Sequence, residues 1–250
     1  MIVIHVVHDE HTLKYVDYAE AAMAKLATGV HTLRFERSLL RPISPSCASA
    51  ARRHSIAVQE AMEMSAHCPW AIHVVCDSDT SVVKRGWDEA MCKVLETYDC
   101  MGTAYQDVGS RNVRKNQQQT YKGKPNVQWM ALRPGPPWHE YRVGDKQLVE
   151  NFTIKTPEQE ETFGLRSGHV LLTDTCWNLP VFMREHGITS LALKNVDEPR
   201  VVDACYEEWW LDGEPFVVHQ GKSRKNKFRC TQFSADFYAA CDQATGLGVR

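Results

Sequence analysis

The sequence predicts an α/β fold in which a central, mostly parallel sheet is flanked by helices. Two apolar β-branched runs, Ile2-Val3-Ile4-His5-Val6-Val7 and Ala71-Ile72-His73-Val74-Val75-Cys76, have the uniform hydrophobicity of strands covered on both faces. Segments with helical spacing of apolar residues separate the strand-like runs, and parallel neighbours need such crossovers. The alternation of strand, helix, strand, helix, strand fills the first third of the chain, which is the order of a Rossmann-like half.

The elements follow in order. After the first strand, Tyr15, Tyr18, Ala19, Ala22, Met23 and Leu26 recur at helical spacing between Thr12 and Leu26, and Gly29 is placed to end that helix. Val30 to Phe35 reads as the second strand. A Pro/Ser-rich loop through Pro42, Ser44, Pro45 and Ser46 leads to a helix over Ala48 to Ser65, and the third strand is Ala71 to Cys76. A helix from Gly86 to Leu95, a strand from Cys100 to Tyr105 and a strand from Val127 to Leu132 come next. The stretch from Asp107 to Asn126 is polar and rich in Gln, Arg and Lys, and Arg133-Pro134-Gly135-Pro136-Pro137 breaks the chain. No internal repeat and no linker to a second domain is visible.

A chain of 250 residues with 43% hydrophobic and 24% charged residues can build one large core, which excludes a disordered or collagen-like protein. Lys plus Arg total 29 against 31 for Asp plus Glu, so any contact with a polyanion must come from local patches. Nine cysteines, an odd number with no C-x-x-C pair, argue against a disulfide framework or a structural zinc site and for reduced thiols in the cytoplasm. The opening apolar run is too short and too polar for a membrane span or a signal-peptide core, so no membrane insertion is expected.

The most informative chemistry is Cys76-Asp77-Ser78-Asp79-Thr80, directly after an apolar strand. Ligands of open α/β sheets bind outside the carboxyl ends of the strands, and residues i and i+2 of an extended segment share a face. Two carboxylates so placed suit a hard divalent cation whose shell is completed by phosphates. The same acids also suit a solvated turn that caps a helix starting near Val82.

The surroundings narrow the choice. Ser49-Ala50-Ala51-Arg52-Arg53-His54-Ser55-Ile56, then Ala61, then the strand with Asp77-Ser78-Asp79-Thr80, then Gly86-Trp87, come in an order that resembles the GT-A nucleotide-sugar glycosyltransferases, especially their large family-two group. Gly164-Leu165-Arg166-Ser167-Gly168-His169-Val170-Leu171-Leu172-Thr173-Asp174 and Glu214-Pro215-Phe216-Val217-Val218-His219-Gln220-Gly221-Lys222-Ser223 extend the resemblance across roughly residues 2 to 223. It implies a single GT-A Rossmann-like domain over residues 1–250, with a nucleotide-binding half at 1–105 and an acceptor-binding half at 106–250. It implies transfer of a sugar from a nucleoside-diphosphate donor such as a UDP-sugar to an acceptor hydroxyl, with Mn²⁺ or Mg²⁺ as cofactor.

Carried over residue by residue, Arg52 sits at the family's arginine, while Arg53 and Ser55 stand where the family has Asn and Gly. Asp77 and the adjacent Ser78 face the ribose or uracil, Asp79 ligates the metal, and Gly168 lies in a turn beneath the donor sugar. His219 completes the metal shell by the same resemblance; by itself it reads first as a hydrogen-bonded residue at a strand end, and together with Asp79 the two readings stand level. Lys222 suits a leaving β-phosphate, and the run Lys222, Arg224, Lys225, Lys227, Arg229 also reads as a solvated basic turn.

An inverting enzyme needs a base near the acceptor, and the family's placement of it points to Asp203, with Glu207 next, although both acids also suit the solvated side of a helix bearing Trp209 and Trp210. His8 and Asp9 at the end of the first strand, and Glu36 at the end of the second, are placed to line a nucleotide pocket; each is also an ordinary surface position. Trp129, Trp138, Trp177, Trp209 and Trp210 read as core residues ahead of a stacking platform.

Two other classes compete. A nucleotidyltransferase shares the core and the acidic ligands but carries a Gly-rich basic loop after its first strand, where this chain has His8-Asp9-Glu10-His11. A non-catalytic nucleic-acid-binding module is suggested by Arg111 to Lys124, with Arg114, Lys115, Lys122 and Lys124. The two basic runs together admit a combined reading, in which DNA is the partner and a hydroxymethylated base is the sugar acceptor.

Overall fold

The structure is a computed structural model, and it describes residues 1–8, 13–39, 50–104, 125–143, 151–153, 170–172, 179–196, 207–219, 239 and 241–247. β1 (Ile2–His8) is buried along its whole length, which its apolar sequence dictates. α1 (Leu13–Leu26) follows, burying Val16, Ala19, Ala22, Met23 and Leu26 along one stripe. β2 (Leu33–Leu39), α2 (Ala50–Glu63), β3 (Ile72–Asp77) and the short β4 (Thr80–Val82) come next. Then follow α3 (Trp87–Leu95), β5 (Cys100–Ala104), β6 (Pro125–Leu132), β7 (Asn151–Thr153), β8 (Val170–Leu172) and α4 (Leu179–Glu185). The last strands are β9 (Ser190–Ala192), β10 (Lys194–Val196), β11 (Glu207–Leu211) and β12 (Glu214–His219).

The fold class is α/β. Its main sheet has the order β2-β1-β3-β6-β5-β9. β1 runs parallel to both β2 and β3, and β5 runs parallel to β9, but β6 is antiparallel to both its neighbours. The sheet is therefore mixed, which hydrophobic pattern alone does not reveal, because a strand buried on both faces reads the same in either direction. One face packs α1 and α3 around Met23, Trp87, Met91 and Trp129; the other packs α2 and α4 around Val58, Met62, Tyr141 and Phe182.

A second, antiparallel sheet, β10-β11-β12-β4, was not foreseen. The chain enters it twice by leaving the main sheet. Leu193, buried, separates β9 from β10, and its amide donates to the Gly102 carbonyl at 2.8 Å. Ser78 and Asp79 separate β3 from β4, so Val82 belongs to a strand rather than to a helix start. The Trp209–Trp210 segment is likewise a strand and not a helix. It joins β12 through Asp212 (φ 51°) and Gly213 (φ 80°), a left-handed pair that matches the twist of a two-residue hairpin.

Among the described residues, no helix is long and apolar enough to cross a membrane. Among the described residues, Cys68, Cys76, Cys92, Cys100 and Cys241 are in no disulfide. Burial pushes the Cys76 and Cys241 thiols well above their ordinary range, so both behave as apolar core atoms. Trp129, Trp138 and Trp209 are core residues, and Trp210 is half-buried. Trp177 lies outside the described residues.

Candidate metal centre

The switch between sheets creates the site. β3 ends at Asp77, and the Ser78 amide donates to the Val7 carbonyl at 3.0 Å, extending the β1–β3 ladder by one residue. The chain then turns through Asp79 and pairs as β4 with β12, in the register Val82–Val217, Ser81–Val218 and Thr80–His219. The last residue of β12 thus comes to lie beside the turn that carries both aspartates.

Asp77, Asp79 and His219 form a compact group whose ligand atoms all lie within 4.8 Å of one another. His219 Nε2 is 3.3 Å from Asp79 Oδ1 and 3.8 Å from Asp77 Oδ2. Asp79 and His219 are each 5% exposed, and Asp77 is half-buried at the rim. Neighbouring ligands of an octahedral cation at about 2.1 Å are about 3.0 Å apart and opposite ones about 4.2 Å, so the two measured separations fall within the span of one coordination shell. Two carboxylate oxygens and one imidazole nitrogen could hold a divalent cation with further oxygen ligands. Burying a carboxylate such as Asp79 is costly, and a divalent cation is one compensation that this donor set fits.

The other expected residues divide three ways. His8, at the end of β1, is buried at the same sheet edge, and Ser78 is buried inside the turn. Glu36 is corrected: β2 continues to Leu39, and Glu36 pairs in register with His5, mid-strand. Its carboxylate accepts from Arg34 Nε at 2.6 Å, which makes it part of a surface ion pair and not of the sheet's carboxyl edge. Arg52 lies on α2, with its side chain outside what is described. Asp9, Gly168, Asp203 and Lys222 lie outside the described residues, as do the basic runs 111–124 and 222–229. Glu207 opens β11 directly opposite His219 in register; its side chain is not among those described.

Two residues went unnoticed in the sequence. Thr80 is 1% exposed, and its Oγ1 has no hydrogen-bond partner among the described residues. Glu208 is fully buried, and its Oε1 accepts from Trp210 Nε1 at 2.6 Å. The dipeptide Asp212-Gly213 between apolar strands was the available signal for the hairpin that carries Glu208.

No protein-family model and no curated protein matches the chain. Among solved structures, it is similar at 9% identity and a TM-score of 0.35 to one titled "Crystal Structure of A197 from STIV", over 84% of this chain and 86% of that one. So distant a likeness assigns no family, and function must be argued from the site itself.

Proposed function

We propose that this chain is a metal-dependent glycosyltransferase of the GT-A kind, which moves a sugar from a nucleoside-diphosphate donor, a UDP-sugar by preference, to an acceptor hydroxyl. The observation that supports this reading most is the convergence of Asp77, Asp79 and His219, supplied by a turn and a strand far apart in sequence, at the carboxyl end of β3. The sequence resemblance named these residues in the same order, with one revision: Asp77 belongs with the cation ligands rather than with the ribose alone.

In this reading, Asp77, Asp79 and His219 hold Mn²⁺ or Mg²⁺, which when bound neutralises charge on the departing diphosphate. His8 and Ser78 shape the nucleotide side of the cleft. Lys222 meets the leaving phosphate, and Arg52 and Gly168 contact the donor. The register of Glu207 opposite His219 supports giving it the acceptor-side base role alongside Asp203. A hydroxymethylated base in DNA is the acceptor that the basic runs favour, in a cytoplasmic setting that keeps the thiols reduced.

The test is thermal stabilisation and donor turnover. Mn²⁺ with UDP should raise the melting temperature more than either alone, and Mn²⁺ with a UDP-sugar should release UDP slowly in the absence of acceptor. Absence of both effects across several nucleotide-sugars would reject the proposal. Pyrophosphate release from a nucleoside triphosphate would move it to a nucleotidyltransferase.

A further inference from the structure

We propose that the Thr80 hydroxyl is a fourth polar group of the Asp77–Asp79–His219 centre, donating its hydrogen to the oxygen ligand, a water where the cation is bound alone, that completes the shell of a bound divalent cation. This rests on the metal-centre reading above and extends it to a residue that no ligand pattern singled out.

Thr80 follows Asp79 directly and lies across from His219 in an antiparallel register, so the two side chains share a face of the second sheet. Farther along that face stand Val82 and Val217, both fully buried in the main hydrophobic cluster. Beside Thr80 and His219 that face is therefore apolar on one side, and at its other end Glu207 stands opposite His219 in register. Nothing in that apolar wall can receive the Thr80 hydroxyl, and Oγ1 has no partner among the described residues.

The strand does not lack local solutions for a hydroxyl. Ser81, the next residue, points to the opposite face and donates to the Val82 carbonyl at 3.2 Å. Thr80 makes no such bond among the described residues, and a buried hydroxyl left unmatched is unfavourable unless something else completes it. Beside two carboxylates and an imidazole, the missing partner is an oxygen that arrives with the cation, either a water or a phosphate of the donor. Groups that hydrogen-bond to metal ligands orient the shell and typically change metal affinity by about 10- to 100-fold when removed.

The test uses the full chain and Mn²⁺ alone, with free Mn²⁺ followed by electron paramagnetic resonance and by calorimetry. Thr80→Val keeps the shape and removes the hydroxyl; it should weaken Mn²⁺ binding about tenfold, the lower end of the range for such groups. Thr80→Ser should bind within a factor of about two of the parent, since it retains the hydroxyl. Without metal, Thr80→Val should melt at or above the parent's temperature, because a buried unmatched hydroxyl has been removed. Equal Mn²⁺ affinity in the parent and Thr80→Val overturns the role of Thr80 and leaves the centre intact. A lower metal-free melting temperature for Thr80→Val also overturns it, because the hydroxyl then serves the fold itself. No Mn²⁺ binding by the parent rejects the centre and this inference together.

Discussion

His219 Nε2 lies 3.3 Å from Asp79 Oδ1, and the contact exists because the chain changes sheets between β3 and β4. Had the segment after Asp77 continued into a helix, the acids would have capped it and faced water. Because Thr80–Val82 instead pairs with β12, the strand-end histidine is drawn to the same turn. The site is thus a junction between two sheets, and its geometry depends on both.

A pair of buried histidines predicts acid sensitivity. His5 and His73 stack on adjacent parallel strands, with ring centroids 5.3 Å apart and His5 Nε2 3.0 Å from His73 Nδ1. The Cys68 carbonyl, 3.1 Å from His73 Nε2, can only accept, so that nitrogen carries the proton, His73 Nδ1 accepts, and His5 Nε2 donates. Burial pushes the His5 imidazole from 6.5 down to about 3, assisted by His73 and Arg34, and burial also lowers His73. The unfolded chain therefore binds the proton first. Stability is full above pH 6.5 and falls by about 1.4 kcal/mol per pH unit as His5 alone is titrated downward toward pH 3. His5→Gln, which retains a donor, should flatten that limb by about this slope in urea denaturation at pH 4 to 6.5. Identical slopes for the two proteins would count against the neutral pair.

The junction of α1 and α3 should be sensitive to single atoms. Asp88 is fully buried and accepts from the Thr28 amide at 2.9 Å and the Thr28 hydroxyl at 2.7 Å. Asp88→Ala leaves both donors unmatched and should cost about 2–3 kcal/mol, measured by urea denaturation. Gly86, two residues earlier, has φ +70°, and an added Cβ would meet only Thr28 Cγ2 at 3.5 Å, an ordinary contact. Gly86→Ala should therefore cost about 1 kcal/mol, from backbone strain alone. A loss several times larger would show that packing and not conformation governs the position.

At the far edge of the main sheet, Asp99 ties β5 to β9. It accepts from the Thr189 amide at 2.8 Å and the Thr189 hydroxyl at 2.7 Å, and it pairs with Arg133. Burial alone would raise this carboxyl, but the Thr189 hydrogen bonds and Arg133 outweigh it and hold the group below its usual range. Asp99→Ala should destabilise the protein by about 2–4 kcal/mol, and Asp99→Asn by less, because the amide oxygen still accepts. Equal losses for the two variants would place the effect in the charge pair with Arg133 and not in the Thr189 contacts.

Sequence pattern disclosed what depends on local signals. The uniform apolar run of β1, the stripe on α1 and the acids after β3 all followed from spacing and from strand-end logic. The pairing of β4 with β12 did not, because three residues, Thr80 to Val82, carry no periodicity, and their partner lies in a distant part of the chain. The direction of β6 was invisible for the reason already given. The hairpin at Asp212-Gly213 was legible and was overlooked, since two tryptophans beside two glutamates suggested a helix face. For the candidate site, residue identities came from the sequence, but the grouping of Asp77 with Asp79 and His219, and the burial of Thr80 beside them in register with His219, follow from the pairing of distant strands.

Direct titration of the full chain with Mn²⁺ tests the central claim, comparing the parent with Asp79→Asn and His219→Ala. The parent should bind one ion, and each variant should bind it at least about tenfold more weakly while retaining the far-ultraviolet circular dichroism of the parent. Unchanged affinity in both variants, or no binding by a folded parent, would contradict the assignment of Asp77, Asp79 and His219 as a metal centre.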